Sequence, residues 1–162
     1  MIGLWFNLAF ATPADLPSGE CANDPQSAPQ ATGKELYNTH CGGCHQADGS
    51  GEKGYFPPVV GTPWVEDASA LTSVLFRGVS GTILVNGERY ASYMSPYGKD
   101  LSDEDILQII HYVRHSLNAY PEDSSFSTDS IATIRAASKT AQTIRGQKGL
   151  DALLTASPSK SE

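Results

Sequence analysis

Five consecutive residues, Cys41-Gly42-Gly43-Cys44-His45, constrain this chain more than anything else in it. Two thiols separated by two residues can address one edge of one flat group. The glycines between them carry no side chain to hold that group away. An imidazole follows at once. Thiols that add to two vinyl groups become thioethers, and a histidine beside them reaches the metal of the ring from one face. The pattern therefore predicts covalent attachment of one c-type haem through Cys41 and Cys44, with His45 as an axial iron ligand.

Other uses of cysteine fit less well. A thiol redox pair of the thioredoxin kind belongs beside a βαβ pattern, and none surrounds these residues. Structural zinc needs four ligands, whereas a second Cys-x-x-Cys is missing and the remaining cysteine, Cys21, stands far away and alone. A structural thiol pair needs no histidine.

The chain has 162 residues, enough for one modest domain with extensions. No apolar run is long enough to span a bilayer, although membrane association by other means stays open. The net charge of −7 argues against nucleic acid and favours partners with a basic docking surface. Residues 1–31 read as leader and linker. Met1 to Ala11 is mostly apolar and ends in a small-x-small pattern, yet no Lys or Arg precedes it. A truncated leader, the remnant of a longer polypeptide and an ordinary apolar segment all fit. Residues 12–31 are rich in Pro, Ala, Ser and Gln, as a linker is. Cys21 within it reads as a free or intermolecular thiol rather than a lipid anchor.

From Thr32 the pattern changes. Thr32-x-x-Glu35 is a capping box, so a helix is expected to about His40 with Leu36 and Tyr37 inward. Residues 46–63 form a glycine- and proline-rich loop. Pro57-Pro58 in it is either a rigid turn or the source of a carbonyl that orients His45, with no means of choosing between the two prolines. A second helix is expected over Ala68 to Arg77, ended by Gly78. Ile83 to Tyr90 predicts a hairpin about Asn86-Gly87.

Met94 follows in a loop. A methionine is ordinarily core filler, but with Cys41-x-x-Cys44-His45 upstream it becomes the candidate for the second axial position. Leu101 to Leu117 is the clearest helix. Ser102 caps it, acidic residues fill its first turn, and Ile106, Ile109, Ile110, Val113 and Leu117 share a face. Tyr112 is expected near Tyr37. His111 and His115 read as surface histidines.

Thr32 to about Tyr120 resembles the small monohaem cytochrome c family, in particular bacterial cytochrome subunits or fused domains of periplasmic oxidoreductases. Beyond the haem motif, Phe56-Pro57-Pro58-Val59-Val60-Gly61, Trp64-Val65, Arg77-Gly78, Val85-Asn86-Gly87, Met94 and Leu101 to Ile106 carry the likeness. It implies an all-α fold of about three core helices around one haem, with the small hairpin. It also implies Met94 as distal ligand, a proline carbonyl on His45, and Trp64, Arg77 or Tyr90 as partners of the haem propionates. One departure is Ser95, where family members often have proline directly after the methionine; here Pro96 comes one step later.

Residues 121–162 read as a linker and a helical tail. Ser127 is expected to cap a helix with Ile131, Ile134 and Ile144 on one side. Arg135, Lys139, Arg145 and Lys148 make its other face basic, to meet a partner or lie back on the domain. Gly146 and Gly149 are expected to break it, with another turn over Asp151 to Thr155. The expected function is single-electron transfer between redox proteins of a periplasmic respiratory or dehydrogenase chain, with no catalytic acid, base or nucleophile evident. The alternatives are a haem domain within a larger oxidoreductase and a small-molecule sensor whose sixth position opens. Family members acquire their haem outside the cytoplasm in bacteria, which implies a periplasmic or otherwise exported chain.

Overall fold

A computed structural model describes residues 31–156. The first helix, α1, runs Gly33–His40. Thr32 Oγ1 accepts from Glu35 N–H while the Glu35 carboxylate accepts from Thr32 N–H, so the capping box forms in both directions. Leu36 and Tyr37 face inward as expected. A single turn, α2 (Gly42–His45), carries the haem motif. The loop after it leads to α3 (Pro63–Glu66) and then to α4 (Ala68–Arg77), whose first turn is capped by Asp67. Gly78 ends α4 with φ +64°, a value L side chains avoid.

Strand β1 (Val79–Ser80) follows, and β2 (Ile83–Val85) pairs antiparallel with β3 (Glu88–Tyr90) about Asn86-Gly87, both at positive φ. That is the expected hairpin. Helix α5 (Asp103–His111) starts from the Ser102–Asp105 capping box. Its last expected turns are not α-helical: Tyr112–Leu117 is a π-helix, entered where Tyr112 N–H is shared between the Gln108 and Ile109 carbonyls. The wider turn shifts the inward face by about one position. Arg114 is buried beside Val113 and donates to the Glu66 carbonyl at 3.0 Å. His115, expected at the surface, is half-buried, with its Nδ1 at 2.6 Å from the Tyr120 carbonyl.

Helix α6 (Thr128–Ser138) is capped by Ser127 and packs against α4 and α5. Of the expected basic face, Arg135 lies back on the domain, whereas Lys139, Arg145 and Lys148 fall beyond the helix and are exposed. Arg135 meets the Asp103 carboxylate at 2.5 Å, donates to the Leu101 and Gly98 carbonyls, and stacks 4.6 Å above the Phe76 ring. The chain then forms β4 (Ile144–Arg145), which pairs parallel with β1, and α7 (Gly146–Ala156). The two glycines do not interrupt this last helix. Gly146 opens it at φ +58°, and Gly149 sits against Ile144.

The fold is mostly helical, with α1, α4 and α5 as its core helices and only two small sheets among the described residues. Tyr37 of α1 meets Tyr112 at a ring distance of 5.4 Å. The α1–α5 crossing is close because Gly33 lies on the Gln108 backbone. A Cβ at Gly33 would run into the Gln108 carbonyl oxygen, which cannot swing away as a side chain can. Gly33→Ala would gain helix propensity but lose more to the clash, so a net destabilisation of about 1–3 kcal/mol is expected. A denaturant melt of the haem-loaded protein checks it. Two buried clusters result. The larger joins the core helices to α6. The smaller gathers Trp64, Val74, the hairpin, Ile144 and Leu150.

Candidate haem site

Between these clusters lies a mostly apolar cavity of about 1290 Å³, its open mouth included. Cys41, Cys44 and His45 line it from the α1–α2 corner, Phe56, Pro57 and Pro58 from the loop, and Met94 from the segment between β3 and α5. Trp64 and Tyr90 line it as well. Arg77 does not: its Nε donates to the Gln142 carbonyl at 2.9 Å, and its side chain is absent from the cavity wall.

The α1–α2 corner is built by backbone bonds. Cys41 N–H closes α1 onto the Tyr37 carbonyl at 2.7 Å, and the Cys41 carbonyl accepts from both Cys44 and His45. Tyr37 donates its hydroxyl to the Gln46 carbonyl at 2.8 Å, and Tyr97 donates to the His40 carbonyl at 2.9 Å. Both tyrosines tie this corner to the core, a role that no periodic pattern in the sequence announces.

His45 Nδ1 lies 2.8 Å from the Pro57 carbonyl oxygen. A carbonyl can only accept, so Nδ1 carries the proton and Nε2 is left with a free lone pair. Burial holds the imidazole below its ordinary pKa, against the opposing pull of the Pro57 carbonyl. Neutral, with one nitrogen committed and the other bare, it is in the state a metal ligand requires. The loop is folded for this contact. Gly51 N–H donates to the His45 carbonyl, and a Cβ at Gly51 (φ +67°) would strike the carbonyls of Phe56 and Pro57. Asn118 clamps the far end of the loop, accepting from Gly61 N–H and donating to the Val59 and Val113 carbonyls.

On the other segment, Met94 and Val79 exchange backbone hydrogen bonds, at 3.1 and 2.9 Å. Gly78 permits this approach, because a Cβ there would collide with the Met94 carbonyl and press on Pro96. Positive φ and close contact together account for Gly78.

Cys41 is poorly suited to open a thiol exchange. Burial, with Cys44 beside it, pushes the Cys41 thiol up to about 12. Attack on a disulfide needs a readily formed thiolate, and this one is suppressed. The wall does suit a haem. It is apolar, carries both thiols at one corner, and holds one unsatisfied polar atom, the buried indole Nε1 of Trp64, which finds no protein acceptor. A propionate oxygen would satisfy it. His111 and His115 lie 5.4 Å apart by ring centre, away from this wall. No group of three or more His, Cys, Asp or Glu among the described residues is placed to hold a metal ion.

A mostly helical domain wrapped around an apolar slot, with Cys-x-x-Cys-His at its rim, defines a c-type cytochrome domain with one covalent haem c. Residues 28–113 match the family described as cytochrome c oxidase, cbb3-type, subunit III, and the chain belongs to that family. Among curated relatives, cytochrome c-552 of Thermus thermophilus is 36% identical over 91 residues, covering 52% of this chain and 66% of that protein. The fructose dehydrogenase cytochrome subunit of Gluconobacter japonicus is 34% identical over 117 residues, 66% of this chain and 22% of the subunit. The cbb3-type oxidase subunit FixP of Azorhizobium caulinodans is 29% identical over 113 residues, 68% of this chain and 38% of its own length. The matches thus span less than two thirds of each relative. No described helix is long and apolar enough to cross a membrane.

Proposed function

We propose that this chain carries single electrons between redox proteins outside the cytoplasm, through one haem c joined to Cys41 and Cys44 and ligated axially by His45 and Met94. The observation that carries this reading is the shared cavity wall: His45 with its Nε2 free, and Met94 from a separate segment fixed by Val79. When bound, the haem supplies an Fe(III)/Fe(II) couple whose potential the thioether ligand raises. The chain's own residues hold both ligands in place. Pro57 sets the orientation of His45, the bonds to Val79 fix the Met94 backbone, and a propionate is assigned to Trp64 Nε1, with Tyr90 beside it on the wall. Loss or exchange of a ligand between oxidation states is thereby resisted, which keeps reorganisation small.

Electrons would enter and leave at the mouth of the cavity. Tyr93 lines it and is exposed, and Tyr55 is exposed nearby, where Ser92 Oγ donates to the Tyr55 carbonyl. Exposed aromatic rims suit the small, transient contacts of redox encounters. The chain carries a net charge of −7, so the fitting partner presents basic charge. The dehydrogenase and oxidase subunits among the relatives support a place in such a chain. Reduction by a basic partner protein, followed by stopped flow, should slow by about tenfold or more as ionic strength rises from low to physiological values. A rate indifferent to salt would overturn the basic-partner reading.

A further inference from the structure

The segment that follows the matched region reaches back to the distal side of the cavity. Ile144 is 1% exposed, and its N–H donates to the Gly78 carbonyl at 3.1 Å. It pairs with Val79, the residue whose backbone also holds Met94. Val79 is therefore the middle rung between the C-terminal segment and the methionine loop. Leu150 of α7 is 3% exposed and forms part of the cavity wall itself, within the cluster against which Met94 packs. Gln147 locks the segment to the hairpin, accepting from Leu84 N–H through Oε1 at 2.8 Å and donating its own N–H to the Thr82 carbonyl at 3.1 Å.

We infer that Ile144 and Leu150 are positioning residues for the sixth iron ligand: the C-terminal segment braces the Met94 loop and keeps the distal position closed. The inference rests on the reading of Met94 as axial ligand. Elsewhere the loop is tied on either side of the methionine, by Ser92 Oγ to the Tyr55 carbonyl and by Tyr97 N–H to the Leu75 carbonyl at 2.7 Å. Ser95 stands where a proline would stiffen it, and Ala91, Ser92, Tyr93, Ser95 and Pro96 are all exposed. At Met94 itself the backbone tie is to β1, a two-residue strand whose other side is covered by β4. A short strand paired on one side only is a weak support. Pairing on both sides, with Leu150 filling the wall beneath, gives the loop one position. Removing the Leu150 side chain leaves a void on the distal side into which the methionine loop can relax, freeing the iron part of the time.

The test uses full-length holoprotein carrying Leu150→Ala, with the milder Leu150→Val should the larger truncation fold poorly. Carbon monoxide binding to the reduced protein should rise on the order of tenfold or more over the parent. The methionine charge-transfer band should weaken and the amide of Met94 should exchange faster relative to that of Ile110. Leu150→Met, which restores volume, should return all three. Ile131→Ala removes an equally buried side chain from the larger cluster, away from the cavity. It should lower the melting temperature without admitting carbon monoxide. If both Leu150 variants exclude carbon monoxide as the parent does, or Ile131→Ala opens the site equally, the brace is refuted. Failure of the underlying reading is distinguishable, because then Met94→Ala itself would leave carbon monoxide binding unchanged.

Discussion

Met94→Ala is expected to open the sixth coordination position completely while the haem stays covalently attached. The oxidised protein should lose the weak charge-transfer band at the red end of its spectrum. Its potential should fall by on the order of 100 mV, a modest part of the range of ~0.8 V that axial ligands command. The reduced protein should bind carbon monoxide stoichiometrically. The physical basis is where the histidines stand: His40 lines the wall from the same α1–α2 corner as His45. His111 and His115 lie off the cavity wall, and His115 Nδ1 is already engaged by the Tyr120 carbonyl. A Met94→Ala protein that kept the band and still excluded carbon monoxide would place another residue on the iron.

The second large effect concerns the attachment. In the double variant Cys41→Ala, Cys44→Ala, haem retention under denaturing conditions should be abolished, and the intact mass should fall to that of the polypeptide. Each single variant should keep haem through its remaining thioether, at lower yield. The double variant should also be several kcal/mol less stable, because the two buried clusters then meet around a cavity without its tethered filling. Mass spectrometry with haem staining reads the first effect and a thermal melt the second. Undiminished staining in the double variant would mean that the thiols do not hold the group.

What the sequence revealed was local chemistry. The Thr32–Glu35 box and the Ser102 cap are short-range hydrogen-bond patterns, and each helix begins where they predict. The Asn86-Gly87 turn was legible for the same reason, since its two positive φ values need those residue types. Less of the geometry was visible where distant segments decide it. The choice of Pro57 over Pro58 as the carbonyl facing His45 depends on how the loop doubles back over Gly51, not on either proline. The π-helix escaped notice because Ile106, Ile109, Ile110 and Val113 satisfy an α-helical stripe equally well; the shift shows only in the burial of Arg114. Strand β4 is two residues long, too short for any alternation, and exists because Val79 offers a free edge 65 positions earlier in the chain. Glycine was misread as punctuation at Gly149, where it is a packing residue against Ile144. Arg77 looked available for a propionate, but a partner nearer at hand, the Gln142 carbonyl, takes its Nε.

The acidic balance and the basic face of α6 need to be read together. Composition alone left that face free to meet a partner. Arg135 instead lies half-buried across Phe76, Asp103 and two backbone carbonyls, where its charge is neutralised within the domain. The pair with Asp103 removes one charge of each sign from the surface, while Lys139, Arg145 and Lys148 stay exposed beyond the helix.

One measurement bears most directly on the electron-transfer account: the spectrum of the native, dithionite-reduced holoprotein before and after addition of carbon monoxide. A haem closed on both faces by His45 and Met94 predicts a sharp low-spin reduced spectrum that carbon monoxide leaves unchanged, with reversible one-electron reoxidation. A reduced spectrum shifted at once by carbon monoxide would contradict it, since the sixth position would then be open and the domain suited to binding small molecules instead.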